Sequence, residues 1–311
     1  MDNEFLLMDR IQKIKQIIKQ YGEENFYISF SGGKDSTVLS ALVDMALPDN
    51  TIPRVYANTG IEYRLIVDFV EREREREHPW ELVILKPSTP IKPTLEKEGY
   101  PFKSKIHSHC VALYQKKSTN KMWLGYTGQR PEHWHTRTCP KMLEYQFTEE
   151  NKLKISDMCC VKMKEEPLIK WQKENNKSIA IIGTMREEGG RRSNLNCIVM
   201  NGKKITRFQP LAPLTKDWEN WFIEKYNISI SDIYKPPYNF NRTGCKGCPF
   251  ALNIQNELDT LEKYFPNERK QCEVIWKPVY DEYRRLGYRL KPLSNKEKKK
   301  YGEQFDIFDY E

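Results

Sequence analysis

Phe26-Tyr27-Ile28-Ser29-Phe30, then Ser31-Gly32-Gly33-Lys34-Asp35-Ser36, then an apolar-periodic stretch from Thr37 to Met45: this succession decides the fold. It reads as strand, tight glycine turn and helix N-terminus. The start of a helix presents unpaired backbone N–H groups and the positive pole of the helix dipole, so it favours an anion such as phosphate. Paired glycines let the backbone approach that anion closely. Ser31 and Ser36 add hydroxyl donors, and Lys34 adds a positive charge. The segment is a phosphate cradle, but not of the Walker A type. That loop needs Gly where Ile28 stands and Ser or Thr where Asp35 stands. The dinucleotide fingerprint Gly-x-Gly-x-x-Gly is absent as well.

On the N-terminal side, Ile11, Ile14, Ile17 and Ile18 mark one face of a leading helix over Asp9–Tyr21. On the other side, Arg54-Val55-Tyr56-Ala57 reads as a second strand that ends in the turn Asn58-Thr59-Gly60. A helix over Tyr63–Glu77 follows, its alternating Glu71–Glu77 charge run a solvated face. Trp80–Leu85 is a third strand. The order β-α-β-α-β predicts an α/β fold, a parallel twisted sheet flanked by helices, with ligands gathered beyond the carboxyl ends of the strands.

From Thr94 to Phe147 the periodicity is poor, which predicts an irregular insertion. Within it, His133-Trp134-His135-Thr136-Arg137 interleaves cations and aromatics. A nucleic-acid-recognising segment and an irregular packed one are both open readings. Ser178–Ile182 reads as a fourth strand running into a loop with Gly183, Arg186 and Arg192. Helices are expected over Trp218–Tyr226, Leu258–Tyr264 and Cys272–Leu286, and Lys298–Lys300 reads as a solvated tail. The expected division is an α/β nucleotide-binding domain over 1–215 and a smaller, mainly helical region over 216–311.

The 311 residues are 39% apolar and 30% charged, and no run approaches the ~20 apolar residues of a membrane span. Met1-Asp2-Asn3-Glu4 lacks a basic-then-apolar leader, so a cytoplasmic protein is expected. The net charge of +8 suits anionic substrates and leaves nucleic acid open as a target. Eight cysteines in a reducing compartment point to metal binding or redox chemistry rather than disulfides.

Four of those cysteines form a pattern: Cys159-Cys160, then Cys245-Lys246-Gly247-Cys248. A Cys-x-x-Cys on a glycine turn aims two sulfurs at one centre and serves Zn or an iron–sulfur cluster equally well. The adjacent pair favours [4Fe–4S] over zinc, because a cluster offers separate irons to neighbouring thiolates.

The Ser31–Ser36 loop resembles the SGGxDS loop of the PP-loop family, the ATP pyrophosphatases with their adenine nucleotide alpha-hydrolase-like fold and the related phosphosulfate reductases. Cys159-Cys160-Val161-Lys162-Met163-Lys164-Glu165-Glu166-Pro167-Leu168 and Thr243-Gly244-Cys245-Lys246-Gly247-Cys248-Pro249-Phe250 are similar to the two cysteine segments of the phosphoadenylyl-sulfate reductase family. The resemblance spans about residues 25–250. It implies that Ser31, Gly32, Gly33, Lys34, Asp35 and Ser36, the turn Asn58-Thr59-Gly60 and Gly183 hold an adenine nucleotide. It implies that Cys159, Cys160, Cys245 and Cys248 bind one [4Fe–4S] cluster near the nucleotide's sulfate or phosphate. Lys164 then falls between cluster and substrate, and Arg186 and Arg192 belong to an anion-binding loop. Catalytic roles follow for Lys34, Asp35, Lys164, Arg186 and Arg192.

The departures from the family are specific. Met185 stands where an arginine is usual and Gly189 where a serine is usual. The C-terminal Glu-Cys-Gly-x-His segment that supplies the reductase nucleophile has no counterpart around Cys272. Three readings are therefore weighed. The leading one is ATP-dependent sulfur transfer, forming AMP and pyrophosphate with Mg²⁺, to a nucleic acid or a small acceptor, supplied by a sulfur-donor protein. The second is sulfite release from a sulfonucleotide, and the third a nucleotide-binding subunit without catalysis. No membrane partner is expected, and self-association is left open.

Overall fold

The computed structural model describes residues 2–130, 139–189 and 192–301. The interleaved run 133–137 lies outside the described residues. By their internal packing the residues form two units: 1–58, 62–87 and 166–243 in the first, 59–61, 88–165 and 244–311 in the second. The chain passes through each of these two units more than once.

The first unit holds a six-stranded sheet: β1 (Phe26–Phe30), β2 (Arg54–Ala57), β3 (Leu82–Leu85), β4 (Ile179–Ile181), β5 (Ile198–Asn201) and β6 (Lys204–Phe208). The order is β3-β2-β1-β4-β6-β5, parallel throughout except for β5, which pairs antiparallel with β6. Central strands of such a sheet are covered on both faces, which is why β1 and β4 read as nearly continuous apolar runs. β1 pairs Ile28 with Arg54 on one side and with Ile181 on the other. The helix Asn3–Tyr21 packs Leu7, Ile11, Ile14, Ile17 and Ile18 into the core beside Val38, Leu42 and Val43 of the helix Lys34–Ala46. It starts ahead of the expected Asp9 because the Asp2 carboxylate accepts from Glu4 N–H at 3.2 Å and caps it. The β5–β6 hairpin went unpredicted, although its turn carries Asn201-Gly202, with Gly202 at φ +59°.

The second unit is helical where an irregular insertion is expected: Ile91–Glu98, Lys105–Gln115, Met122–Tyr126 and the 3-10 segment Lys141–Phe147. Its core contains polar side chains that blur the apolar period. His107 is buried between Tyr126 Oη at 3.1 Å and Gln146 Oε1 at 2.6 Å, and Ser108 Oγ donates to Phe102 O at 2.9 Å. Further on come the helices Ile254–Tyr264, Pro266–Ile275, Lys277–Leu286 and Asn295–Tyr301. The single helix expected over Cys272–Leu286 is two, divided at Trp276, because Pro278 has no N–H to continue the ladder and sits in the first turn of the next helix. The expected solvated tail at Lys298–Lys300 lies in the final helix. There Lys300 Nζ donates to Glu262 Oε1 at 2.6 Å and the buried Tyr301 hydroxyl donates to the same carboxylate. No helix of the described residues is long and apolar enough to cross a membrane.

Candidate functional site

In the first unit, β1 delivers the chain to the turn Ser31-Gly32-Gly33. Gly32 takes φ +67°, and a Cβ there would stand 2.7 Å from Val70 Cγ2, so the turn packs directly on the helix Arg64–Glu75. Gly33 caps the next helix, and Thr37 N–H makes the first intrahelical bond to Gly33 O at 3.0 Å. The turn is laced by its serines. Ser31 N–H donates to Ser36 Oγ at 3.1 Å, Ser36 Oγ donates to Gly33 O at 2.9 Å, and the two hydroxyls lie 3.0 Å apart. The first-turn amides of the helix Lys34–Ala46, which follows the carboxyl end of β1, have no intrahelical acceptors. At the end of β4, Gly183 abuts the same helix: a Cβ on it would sit 2.7 Å from Asp35 O.

These elements enclose a cavity of about 360 Å³. Ser31, Gly33, Lys34, Asp35, Ser36, Gly183 and Arg192, all expected site residues, line it. So do Lys216, Tyr234, Arg242 and Thr243, which sequence reasoning missed. Four cations and one acid face the space, so it is built for an anion of several charges. Tyr234 forms part of the wall: its hydroxyl lies 2.5 Å from Thr243 Oγ1, and Lys34 Nζ stands 5.7 Å from its ring centre. Burial pushes the Tyr234 phenol up to about 12, so it remains neutral. Lys216 Nζ donates to Asp35 Oδ1 at 2.5 Å and to Glu219 Oε2 at 3.0 Å. Burial opposes the Lys216 charge, but the hydrogen bonds and charges of those carboxylates outweigh it and raise its pKa. Lys216 opens a helix capped by Thr215, whose hydroxyl accepts from Trp218 N–H at 3.2 Å. That cap was readable, but the pairing with Asp35, 181 residues away in sequence, was not.

Other expected residues lie outside the cavity lining. Gly32 faces the helix behind it. Asn58 N–H donates to Leu85 O at 2.8 Å, extending the β2–β3 ladder, and Thr59 and Gly60 fall in the second unit. Arg186 Nε donates to Leu195 O at 2.7 Å and so ties its own loop together.

All four patterned cysteines belong to the second unit. Cys159 and Cys160 end a short helical turn that continues as a π turn over Val161–Glu165, carrying Lys164. The Cys245–Cys248 turn closes with Cys248 N–H donating to Cys245 O at 3.1 Å. It is clamped from outside: Trp276 Nε1 donates to Lys246 O at 3.0 Å, Tyr280 Oη to Gly247 O at 2.5 Å and Tyr283 Oη to Pro249 O at 2.8 Å. Gly247 takes φ +62°, and a Cβ there would stand 2.5 Å from Tyr280 Oη. A hydrogen bond with Cys160 holds the Cys159 thiol up, reinforced by burial and by Cys160, Cys248 and Cys245. The same bond holds Cys160 down against burial, with help from Lys105 and Lys164. The charges of Cys160, Cys248 and Cys245 thus all act on Cys159. Among the described residues, no three His, Cys, Asp or Glu side chains converge to hold a metal ion. In number and type, the donor set fits a tetrathiolate-bound group.

A family model described as the phosphoadenosine phosphosulfate reductase domain matches residues 25–156 and 130–251. No curated protein matches the chain. Among solved structures, it is similar to a phosphoadenylyl-sulfate reductase from Candida auris in complex with phosphate. The identity is 12% over 72% of this chain and 88% of that one, with a TM-score of 0.39. It is also similar to an NH3-dependent NAD synthetase from Campylobacter jejuni, at 13% identity over 94% of this chain and 100% of that one, TM-score 0.41. A U34-tRNA thiolase from Methanococcus maripaludis with its [4Fe-4S] cluster is 16% identical over 95% of this chain and 83% of that one, TM-score 0.38.

Proposed function

The chain belongs to the phosphoadenosine phosphosulfate reductase domain family, and from that premise we propose that it binds ATP and cleaves it to AMP and pyrophosphate to drive sulfur transfer. The cavity faced by Lys34, Arg192, Lys216 and Arg242 carries this reading. Its charge matches a triphosphate with Mg²⁺, and the first-turn amides of the helix Lys34–Ala46 add fixed donors. In the proposed reaction an acceptor oxygen attacks the α-phosphorus, pyrophosphate departs, and the acceptor's proton, where it carries one, passes to solvent. Sulfide then displaces AMP from the activated acceptor, so no net oxidation or reduction occurs. Lys34, Lys216, Arg192 and Arg242 would stabilise the charge that accumulates on the leaving pyrophosphate.

Cys159, Cys160, Cys245 and Cys248 would hold a [4Fe–4S] cluster, with Lys164 supplying positive charge beside Cys160. Bound there, the cluster would supply iron able to take up inorganic sulfide. The acceptor is a nucleic acid or a small molecule. Sulfite release from a sulfonucleotide, the competing reading, needs an accessible thiolate. Cys272, the one cysteine after Cys248 in this sequence, is wholly buried, and burial pushes its thiol up.

The test is anaerobic purification followed by an iron and sulfide count and an assay of pyrophosphate from ATP. About four irons per chain and pyrophosphate formation support the proposal. Stoichiometric zinc would remove the cluster, and sulfite from a thioredoxin-coupled assay would replace the reaction.

A further inference from the structure

Lys216 is held on the cavity wall by two carboxyl groups of different origin. Asp35 belongs to the glycine turn, whereas Glu219 lies one turn beyond Lys216 on its own helix, with 1% of its side chain exposed. Glu219 Oε2 accepts from the Lys216 ammonium, but Oε1 is buried and finds no donor among the described residues. A bare, half-satisfied carboxylate in that position is costly. After burial, the charge of the Asp35 carboxyl does most to hold a proton on Glu219, and hydrogen bonding between the two side chains acts in the same direction. Two carboxyls share the one Lys216 ammonium, and burial together with the Asp35 charge favours a proton on Glu219.

The other charged groups on this cavity are Lys34, Arg192 and Arg242, and the cation bonded to both carboxyls is Lys216. The Tyr234 phenol is held neutral, Lys34 Nζ reaches Asn220 Oδ1 at 3.5 Å, and the exposed Glu187 carboxylate accepts from Lys216 backbone N–H rather than from its ammonium.

We propose that Glu219 is a positioning residue that makes polyphosphate binding proton-linked: the entering anion draws the Lys216 ammonium off the two carboxyls, which then retain one proton between them. The inference rests on the polyphosphate reading of the cavity. Its sign follows from charge. Burial and Asp35 hold the Glu219 carboxyl up at about 7 while Lys216 is in place. Once the cation moves to the phosphates, the two carboxyls hold their proton more tightly. Binding therefore takes up a proton above neutral pH, and affinity falls as pH rises past that point. Glu219 thus sets both where the Lys216 ammonium rests and what its departure costs.

Titration calorimetry of the α,β-methylene analogue of ATP, in two buffers of different ionisation enthalpy from pH 6 to 8.5, reads the proton directly. Wild type is expected to take up ~0.5–1 proton more than Glu219→Gln and to lose up to ~tenfold in affinity per pH unit above 7. Glu219→Gln keeps an oxygen for Lys216, so at pH 6 it should bind within about threefold of wild type and stay flatter with pH. Should that variant fail to fold, Lys216→Gln serves instead: its pair keeps the proton in both states, so the wild-type excess disappears there too. Equal proton counts in wild type and variant would overturn the proposal while leaving nucleotide binding intact. A purely structural role would lower affinity equally at every pH, which also overturns it. Failure of wild type to bind the analogue at all would overturn the polyphosphate reading itself.

Discussion

Replacing Gly183 by Ala tests how the end of β4 and the glycine-turn helix fit together. The added Cβ would stand 2.7 Å from Asp35 O and 3.0 Å from Asp35 C, both backbone atoms, with Leu39 Cβ at 3.4 Å. Ordinary contact begins at about 3.4 Å, so the helix start or the β4 end must retreat by several tenths of an ångström. No flexible side chain is available to absorb the move. Overpacking of this kind costs ~1–3 kcal/mol, which corresponds to a fall in melting temperature of several degrees for a domain this size. The same retreat carries the first-turn amides and Asp35 away from the cavity, and an affinity loss of about tenfold for an adenine nucleotide corresponds to ~1.4 kcal/mol. Thermal unfolding and nucleotide titration on one preparation read both effects. An unchanged melting temperature together with unchanged affinity would refute the close approach from which the loss is derived.

Ser substitution at Cys159, Cys160, Cys245 or Cys248 is expected to bring iron below one per chain after anaerobic reconstitution, whereas Cys272→Ser keeps it and loses ~1–3 kcal/mol of stability. His107, buried and uncharged, has its pKa lowered to about 4, chiefly by burial. Because the unfolded chain binds that proton more readily, the stability His107 contributes is intact above pH 6.5 and is lost as pH falls toward 4. Denaturant melts across that window should show a slope that His107→Gln reduces. Arg54 is wholly buried, bonded to Asp44, Asn50 and Ser40 and set 4.1 Å from the Trp80 ring. Arg54→Leu should therefore cost ~2–3 kcal/mol by removing its hydrogen bonds to Ser40, Asn50 and Asp44, while Asp44 keeps those from Asn50 and Trp80, read by urea denaturation.

The strand–glycine turn–helix unit was legible because its determinants are local: an apolar run, two glycines and a periodic helix within 20 residues. The first three strands and the parallel pairing of β1, β2 and β3 follow from the same local logic. Lys216, Glu219 and Tyr234 were not legible. Lys216 and Tyr234 reach the cavity only through folding over a long sequence separation, Glu219 reaches Lys216 behind it, and nothing in the run Lys216-Asp217-Trp218-Glu219 distinguishes a buried carboxyl from a solvated one. The helices over 91–147 were hidden for another reason. His107, Ser108 and Gln146 satisfy one another or nearby backbone inside a core, so polar residues occupy positions that an apolar period would reserve for hydrophobes. At Cys159-Cys160 and Cys245-x-x-Cys248 the spacing was visible, as was the glycine on which the second turn depends. The clamp of Trp276, Tyr280 and Tyr283 that fixes that turn was visible only in the fold.

The central claim is that the cavity at the Ser31–Ser36 turn holds the phosphates of an adenine nucleotide. Equilibrium titration with the α,β-methylene analogue of ATP, in wild type and in Lys34→Ala with Arg192→Ala, tests it most directly. The account predicts saturable binding by wild type and a loss of at least about tenfold in the double variant, since two charge-assisted contacts are removed. Equal affinity in both proteins, or no binding by wild type, would contradict it.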